Sequence, residues 1–121
     1  MAKVERFEEL NCWKLARELT GQVYRLDGKI NKDFGLRDQL RRASVSIMNN
    51  IAEGFGRFSS KEKVRFLEIA QSSANEVKSM LYLMNDLGYI DSNLRESLHH
   101  KADICQRQIW GLIKYLRTSN R

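Results

Sequence analysis

The sequence predicts an all-α fold, an antiparallel up-down-up-down four-helix bundle that forms one domain over residues 1–121. The chain contains no proline and only seven glycines, and it is rich in residues that lose little entropy in a helix. Apolar residues recur at steps of three and four, which places them on one face of a helix. Short connections separate four such segments, and short connections join antiparallel neighbours.

The first helix is predicted from Glu8 to Asp27. Gly28 follows it as a C-terminal stop, and the turn residues NKDFG at positions 31–35 form a short connection. The second helix, from Leu36 to Glu53, should therefore lie antiparallel to the first. The apolar stripe assigned to the first helix consists of Cys12, Leu15, Ala16, Leu19, Val23, Leu26 and Ile30.

The connection between the second and third helices carries both a stop and a start signal. Gly54 or Gly56 is expected to adopt the left-handed conformation that ends many helices. Ser59, with Glu62 three residues later, fits a capping box, in which each side chain accepts the other residue's backbone N–H. The third helix should therefore begin at Ser60.

The third helix is predicted to stop at Gly88 and has a wide apolar face. Beside its main stripe runs a second apolar row, which is more than one neighbouring helix requires and indicates a second packing partner. Asp91, Ser92 or Asn93 can cap the fourth helix, whose end at residues 118–121 is expected to fray. The second row consists of Phe66, Ile69, Met80 and Leu83.

Composition and charge limit the class of partner. The formal charge of +6 and the pI near 9.5 favour anionic partners such as RNA or DNA, without proving them. The opening MAKVERFEEL lacks a secretory apolar stretch, and no run approaches the roughly 20 apolar residues that cross a bilayer. We therefore expect a cytoplasmic protein with no membrane partner. Cys12 and Cys105 are expected to be reduced core residues.

Basic residues concentrate around the second and third helices, and a further run lies in the fourth. A solvated helical face explains either run equally well. If the residues bind nucleic acid, they do so electrostatically, with strong salt dependence and little sequence specificity. The candidate nucleic-acid-binding residues are Arg37, Arg41, Arg57, Lys61, Lys63, Arg65, Lys114 and Arg117.

Polar residues at steps of three and four predict a partly buried structural network on the second and third helices. In it, Arg42 meets Glu76 or Glu53, and Asn50 satisfies backbone groups at the helix end. The alternative is an enzyme with Glu53 as general base near Arg57, but neither an oriented nucleophile nor a metal accompanies it. The predicted network consists of Arg42, Ser46, Asn50, Glu53, Ser73 and Glu76.

Metal and cofactor sites are not expected. His99 and His100 are adjacent, so on a helix they point about 100 degrees apart and cannot chelate one ion in the usual i, i+4 manner. Cys105 has the wrong spacing to complete a zinc site with either of them. The sequence therefore predicts no catalytic residue, no metal and no cofactor.

Four segments carry a family resemblance. GLRDQLRRASVSIMNNIAEGFGR at residues 35–57 resembles the signature of the four-helix-bundle proteins named after the 23S rRNA intervening sequences that encode some members. The likeness also includes FEELNCWKLA at 7–16, FLEIAQSSANEV at 66–77 and LGYI at 87–90. It therefore covers most of the chain in the right order.

The resemblance implies an assembly and a function. Members of the family form antiparallel four-helix bundles that assemble into a five-membered ring. The related accessory proteins of diversity-generating retroelements use a basic ring to bind nucleic acid and a reverse transcriptase. The resemblance thus implies a homopentameric, non-catalytic binder of RNA or other nucleic acid. The alternative hypothesis is an assembly or adaptor module that binds another protein, with its charge serving only solubility.

Overall fold

The computed structural model describes residues 4–119, and in that range it contains four α-helices and no β-strand. Each helix packs against two neighbours in cyclic order: α1 against α2 and α4, and α3 against α2 and α4. This is the arrangement of a four-helix bundle, so the all-α prediction is confirmed. The helices are α1, Asn11–Tyr24; α2, Phe34–Phe55; α3, Ser60–Asp86; and α4, Ser92–Ser119.

Contacts between side chains give the direction of each helix. Along α3, Glu68 bonds to Arg117 and Lys78 bonds to Asp103, so the partner residues on α4 run in the opposite direction. The same reversal relates α1 to α2, α2 to α3 and α1 to α4. Neighbouring helices are therefore antiparallel, as short connections require.

The first helix is shorter than the predicted range 8–27. A 3-10 turn at Phe7–Glu9 precedes α1, and Leu10 separates the two with extended backbone at ψ 125°. At the other end α1 stops at Tyr24, four positions before Gly28. Gly28 does have a positive φ of 95°, but it begins the next 3-10 turn rather than ending α1. The assignment of Gly28 as the stop was therefore wrong.

The second helix is two residues longer than predicted at each end. It begins at Phe34 because the carboxylate of Asp33 accepts the backbone N–H of Leu36 at 3.2 Å, which satisfies one of the unpaired donors of the first turn. The other carboxylate oxygen of Asp33 accepts the hydroxyl of Tyr89 at 2.9 Å. This hydrogen bond raises the pKa of Tyr89 above its ordinary value. Asp33 thus caps α2 and ties the two connections at this end of the bundle together.

Gly54 and Gly56 are not left-handed, contrary to prediction. Gly56 has a φ of −81°, and Gly54 lies inside α2. A Cβ on Gly54 would stand 3.1 Å from the Cβ of Phe66 and 3.2 Å from the carbonyl oxygen of Lys63. Glycine is therefore needed at position 54 for the close approach of α3 and not for its backbone angles.

Side chains cap the N-termini of α3 and α4. The Ser59 hydroxyl accepts the Glu62 N–H at 3.1 Å, so the predicted start of α3 is confirmed. The carboxylate of Glu62, however, bonds to Arg65 instead of to the Ser59 N–H, so only half of the capping box forms. For α4, Asp91 is the cap, because its carboxylate accepts the Leu94 N–H at 2.8 Å.

The third helix ends at the glycine that the sequence indicates. Gly88 has a φ of 74°, the N–H of Tyr89 bonds to the carbonyl of Met84, and the Gly88 N–H bonds to the carbonyl of Asn85. These two bonds form a Schellman motif, in which a left-handed glycine satisfies the last carbonyls of a helix. At the C-terminus α4 remains helical to Ser119, and the rest of the segment expected to fray lies outside the described residues.

The four apolar stripes meet in one buried cluster, to which all four helices contribute. Its few buried polar groups are bonded: the Thr20 hydroxyl donates to the carbonyls of Ala16 at 2.8 Å and Ser44 at 3.0 Å, and the Ser44 hydroxyl donates to the carbonyl of Leu40. Among residues 4–119, none of the helices is both long enough and apolar enough to cross a bilayer.

Both cysteines lie in this cluster as free thiols, as predicted. The Cys105 thiol donates to the carbonyl oxygen of Cys12 at 3.3 Å. Burial raises the pKa of Cys12 to about 11 and that of Cys105 to about 12. Both therefore stay protonated at neutral pH and are poor nucleophiles.

Two glycine substitutions test the close packing of α2 and α3. Gly54→Ala should lower the free energy of unfolding by about 1–2 kcal/mol, because the added methyl group pushes α3 away from α2. The matched control is Gly111→Ala in α4, where a Cβ meets nothing within 4 Å. That change should raise the stability by about 0.5–1 kcal/mol. Urea denaturation measures both, and a stabilised Gly54→Ala would contradict the close approach.

Candidate nucleic-acid interface

The structure divides the eight basic residues predicted to bind nucleic acid between the two ends of the bundle. Arg37 and Arg41 lie in the first half of α2, about 20–27 Å along the helix axis from its C-terminus. The other six surround the connection from α2 to α3 and the end of α4 that packs beside it. We call these six the basic end; they are Arg57, Lys61, Lys63, Arg65, Lys114 and Arg117.

Arg37 and Arg41 are engaged within the chain. Arg37 bonds to the carboxylate of Asp38 at 3.3 Å and lies over the ring of Phe34. Arg41 donates to the carbonyl oxygen of Tyr24 at 3.3 Å, and its guanidinium lies 4.6 Å from the centroid of the Tyr24 ring. These contacts give both residues a packing role at the α1–α2 end. The structure therefore does not join them to the basic end.

Phe66 organises the α3 part of the basic end. The guanidinium groups of Arg57 and Arg65 both lie 4.6 Å from the centroid of its ring. Each arginine also pairs with a carboxylate one turn away, Arg57 with Glu53 and Arg65 with Glu62. In the sequence Phe66 was assigned to an apolar row. In the structure its ring makes cation–π contacts that position both guanidinium groups.

The carboxylate of Glu62 is surrounded by the cations of this region. Its pKa lies below the ordinary value of a glutamate, first because of the hydrogen bond from Arg65 and then because of the charges of Arg65, Arg57 and Lys61. Hydrogen bonds and nearby cations both favour the ionised carboxylate. The local field at the start of α3 is therefore positive.

Lys63 and Lys61 differ in their surroundings. The ammonium of Lys63 donates to the carbonyl oxygen of Phe55 at 2.9 Å and lies over the Phe55 ring. It thus satisfies an unpaired carbonyl at the end of α2. Lys61 is exposed and makes no ion pair within residues 4–119. Its charge is available to an external anion.

The end of α4 completes the basic end. Arg117 bonds to Glu68 on α3 at 2.9 Å. Lys114 and Arg117 both lie within 6 Å of the Trp110 ring centroid, at 5.8 and 5.9 Å. A shallow groove between α3 and α4 is lined by residues that include Lys61, Arg65 and Arg117. Cations from two helices therefore share one surface.

The predicted polar network forms only in part. The hydroxyls of Ser46 and Ser73 lie 2.7 Å apart across the α2–α3 seam, and Asn50 donates to the carbonyl and hydroxyl oxygens of Ser46. Asn50 thus bonds to the turn before it and not to the helix end as predicted.

The three charged members lie outside this contact. Arg42 is exposed, and its predicted ion pair with Glu53 or Glu76 does not form in the described residues. The carboxylate of Glu53 is held by Arg57 instead, and Glu76 is exposed. The pairing with Arg57 also occupies the group that the enzyme hypothesis needs as a base. Arg42 and Glu76 are both exposed, so neither brings a buried charge to the α2–α3 seam.

Metal-ligating residues are dispersed in the described chain. No group of three or more His, Cys, Asp or Glu residues in residues 4–119 could hold an ion. Both ring nitrogens of buried His99 are engaged: Nδ1 accepts from Arg95 at 2.8 Å, and Nε2 donates to the carbonyl of Lys78 at 2.9 Å. His99 therefore serves the packing of α3 against α4.

Phe58 was missed by sequence reasoning. It lies between Arg57 and Ser59 in the α2–α3 connection, and the residue is fully exposed. The signal was available, because an aromatic residue in a short polar turn has no apolar neighbours at helical spacing. The structure adds its full exposure in the connection that joins Arg57 to the start of α3.

Comparison with known proteins places the chain in a structural context. The sequence matches the family model described as 23S rRNA-intervening sequence protein over residues 8–111. The fold is similar to the crystal structure of a protein with unknown function from the S23 ribosomal protein family of Bacteroides thetaiotaomicron. The TM-score is 0.79 at 24% identity, and the alignment covers 85% of this chain and 98% of that one. No curated protein matches the sequence.

Substitutions can separate the two halves of the predicted polar network. Ser73→Ala should lower the free energy of unfolding by about 1 kcal/mol, because it removes the hydroxyl contact to Ser46. Glu76→Ala should change it by less than about 0.5 kcal/mol, since its side chain is exposed and unpaired in the described residues. Urea denaturation measures both. An equal loss in the two variants would place Glu76 in the network after all.

Proposed function

The chain belongs to the 23S rRNA-intervening sequence protein family, and from this premise we propose that it is a non-catalytic homopentamer that binds RNA or other nucleic acid through its basic end. The binding is electrostatic and directed at the sugar-phosphate backbone, so it distinguishes sequences weakly. One observation carries the proposal: the fold brings six cations from separate parts of the chain to one end of the bundle, where Lys61, Arg65 and Arg117 line one groove.

The ion pairs of the basic end compensate only part of its charge. Three carboxylates, Glu53, Glu62 and Glu68, pair with its cations. Six cations and three paired carboxylates leave a formal excess of three positive charges. An excess of this kind on one face favours polyanions over isolated acidic groups.

The start of α3 adds a second argument. Lys61 lies in its first turn, where the helix dipole is positive and disfavours a cation by roughly 0.3–1 kcal/mol. Folding alone would favour acidic residues there. A bound phosphate would reverse the sign of this interaction, because helix N-termini and cations both attract anions.

An apolar row on α3 supports the homo-oligomer. Ile69 and Leu83, which the sequence assigned to a second packing surface, are 37% and 46% exposed, and Leu87 continues the same face. Exposed apolar rows of this kind mark interaction surfaces. In a closed ring each bundle would cover the row of its neighbour, and the ring would carry five basic ends.

The same row also favours a second candidate function, an assembly or adaptor module. In that case the row binds a different protein, of which a reverse transcriptase is the example that the family resemblance implies. The positive charge would then serve solubility alone. The two candidates differ in salt dependence and in the mass of the purified protein.

The electrostatic proposal predicts a steep salt dependence. Fluorescence anisotropy should show a large loss of affinity for a mixed-sequence single-stranded RNA when salt is raised from about 50 to about 200 mM, because phosphate contacts weaken strongly over this range. Lys61→Ala with Lys114→Ala should reduce the slope of log affinity against log salt by about 1.4, if each lysine contacts one phosphate.

The matched control removes two exposed lysines from the opposite end, Lys29→Ala with Lys32→Ala. Both double variants lose the same formal charge. The control should bind as the unaltered protein does. If both variants weaken binding equally, the affinity comes from net charge and not from the basic end; if salt has no effect, the electrostatic proposal fails.

Light scattering tests the assembly. The mass in solution should be five times the 14.2 kDa of one chain. Leu83→Glu should dissociate the ring, because it puts a charge on the apolar row of α3. Phe34→Glu, at an exposed aromatic residue outside that row, should leave the mass unchanged. A monomer at micromolar concentration would contradict the ring.

A further inference from the structure

The side chain of Phe58 is open on both faces. At 104% relative exposure it contacts none of the core, although burying a phenylalanine typically stabilises a protein by about 1.5–3 kcal/mol. Within the described chain no other ring and no cation lies against it. Both faces of its ring are therefore free for an external group.

The neighbouring cations are arranged so that they do not cover this ring. Arg57 precedes Phe58 directly, yet its guanidinium lies over Phe66, together with that of Arg65. Lys61 follows within the first turn of α3 and makes no ion pair in residues 4–119. An open aromatic ring thus lies in the chain between positively charged groups.

An open ring beside cations is the combination by which proteins hold single-stranded nucleic acids. Cations contact the backbone, while each aromatic ring stacks on one base, whatever its identity, because every base has a flat face. Bases in a duplex are already stacked on each other and offer no face to such a ring. A surface that only attracted phosphates would not need the aromatic side chain.

We propose that Phe58 stacks on an unpaired base, so that the basic end takes single-stranded nucleic acid in preference to a duplex. The inference rests on the proposed function and specifies that the bound nucleic acid is single-stranded. The cations of the basic end hold the backbone on either side of the base. Bases are bound without regard to sequence, since the ring makes no hydrogen bond to a base edge.

Three ligands of equal length separate stacking from charge: a single-stranded RNA, the corresponding duplex, and a strand that carries the backbone without bases. Phe58→Ala should lower the affinity for single-stranded RNA about 5- to 150-fold, the usual range for one stacked base. It should leave the affinities for the duplex and the base-free strand unchanged. Phe58→Tyr should retain the affinity, because it keeps the ring.

Phe34→Ala is the matched control. Phe34 is also an exposed phenylalanine beside an arginine, at 62% exposure and with Arg37 over its ring, but it lies at the opposite end of the bundle. This variant should bind all three ligands as the unaltered protein does. A loss equal to that of Phe58→Ala would overturn the assignment of the stacking site.

The remaining outcomes distinguish the inference from its premise. If Phe58→Ala binds single-stranded RNA normally while Lys61→Ala with Lys114→Ala weakens binding, Phe58 does not stack, and the proposed function stands. If the unaltered protein binds none of the three ligands, the proposed function itself fails. If Phe58→Ala lowers the mass seen by light scattering, the Phe58 side chain contacts a second protein chain in the assembly. The stacking inference is then overturned.

Discussion

The close packing of α2 against α3 is the constraint on which the candidate site depends. At Gly54 the absence of a side chain lets the backbone of α3 approach, and the Lys63 ammonium donates to the carbonyl oxygen of Phe55 at the end of α2. The connection that carries Phe58 joins the two helices beside this contact, and the Arg57 guanidinium lies over the Phe66 ring. A wider separation would loosen the geometry of the whole basic end.

Antiparallel packing explains why positive charge collects at one end. The C-terminus of α2, the N-terminus of α3 and the C-terminus of α4 lie side by side there, so cations distant in sequence become neighbours. Arg117, in the last turn of α4, suits the negative end of that helix dipole, whereas Lys61 opposes the dipole of α3. Ion pairs with Glu62 and Glu68 offset part of the repulsion. The remaining charge is unfavourable for the isolated chain and favourable in contact with an anion.

The two proposed surfaces use different chemistry and occupy different parts of the molecule. The apolar row on α3 relies on burial of area, which is insensitive to salt and supplies the stability of an assembly. The basic end relies on charge and on one open aromatic ring, which together give adjustable binding of a flexible polyanion. Repetition of a weak basic end around a ring would raise its total affinity without any new contact.

Patterns along the chain determined the helices, because the spacing of apolar residues reflects helix geometry directly. The four-helix bundle, the cap at Ser59 and the stop at Gly88 were predictable for this reason, and the GLRDQLRRASVSIMNNIAEGFGR segment indicated the family. Only the tertiary structure decided which polar residues meet. The Asp33 carboxylate meets the Tyr89 hydroxyl, Arg42 and Glu76 do not pair in the described residues, and Arg37 and Arg41 lie at the opposite end of the bundle from the other six cations. Such pairings depend on how helices rotate and approach, which spacing within one helix does not specify.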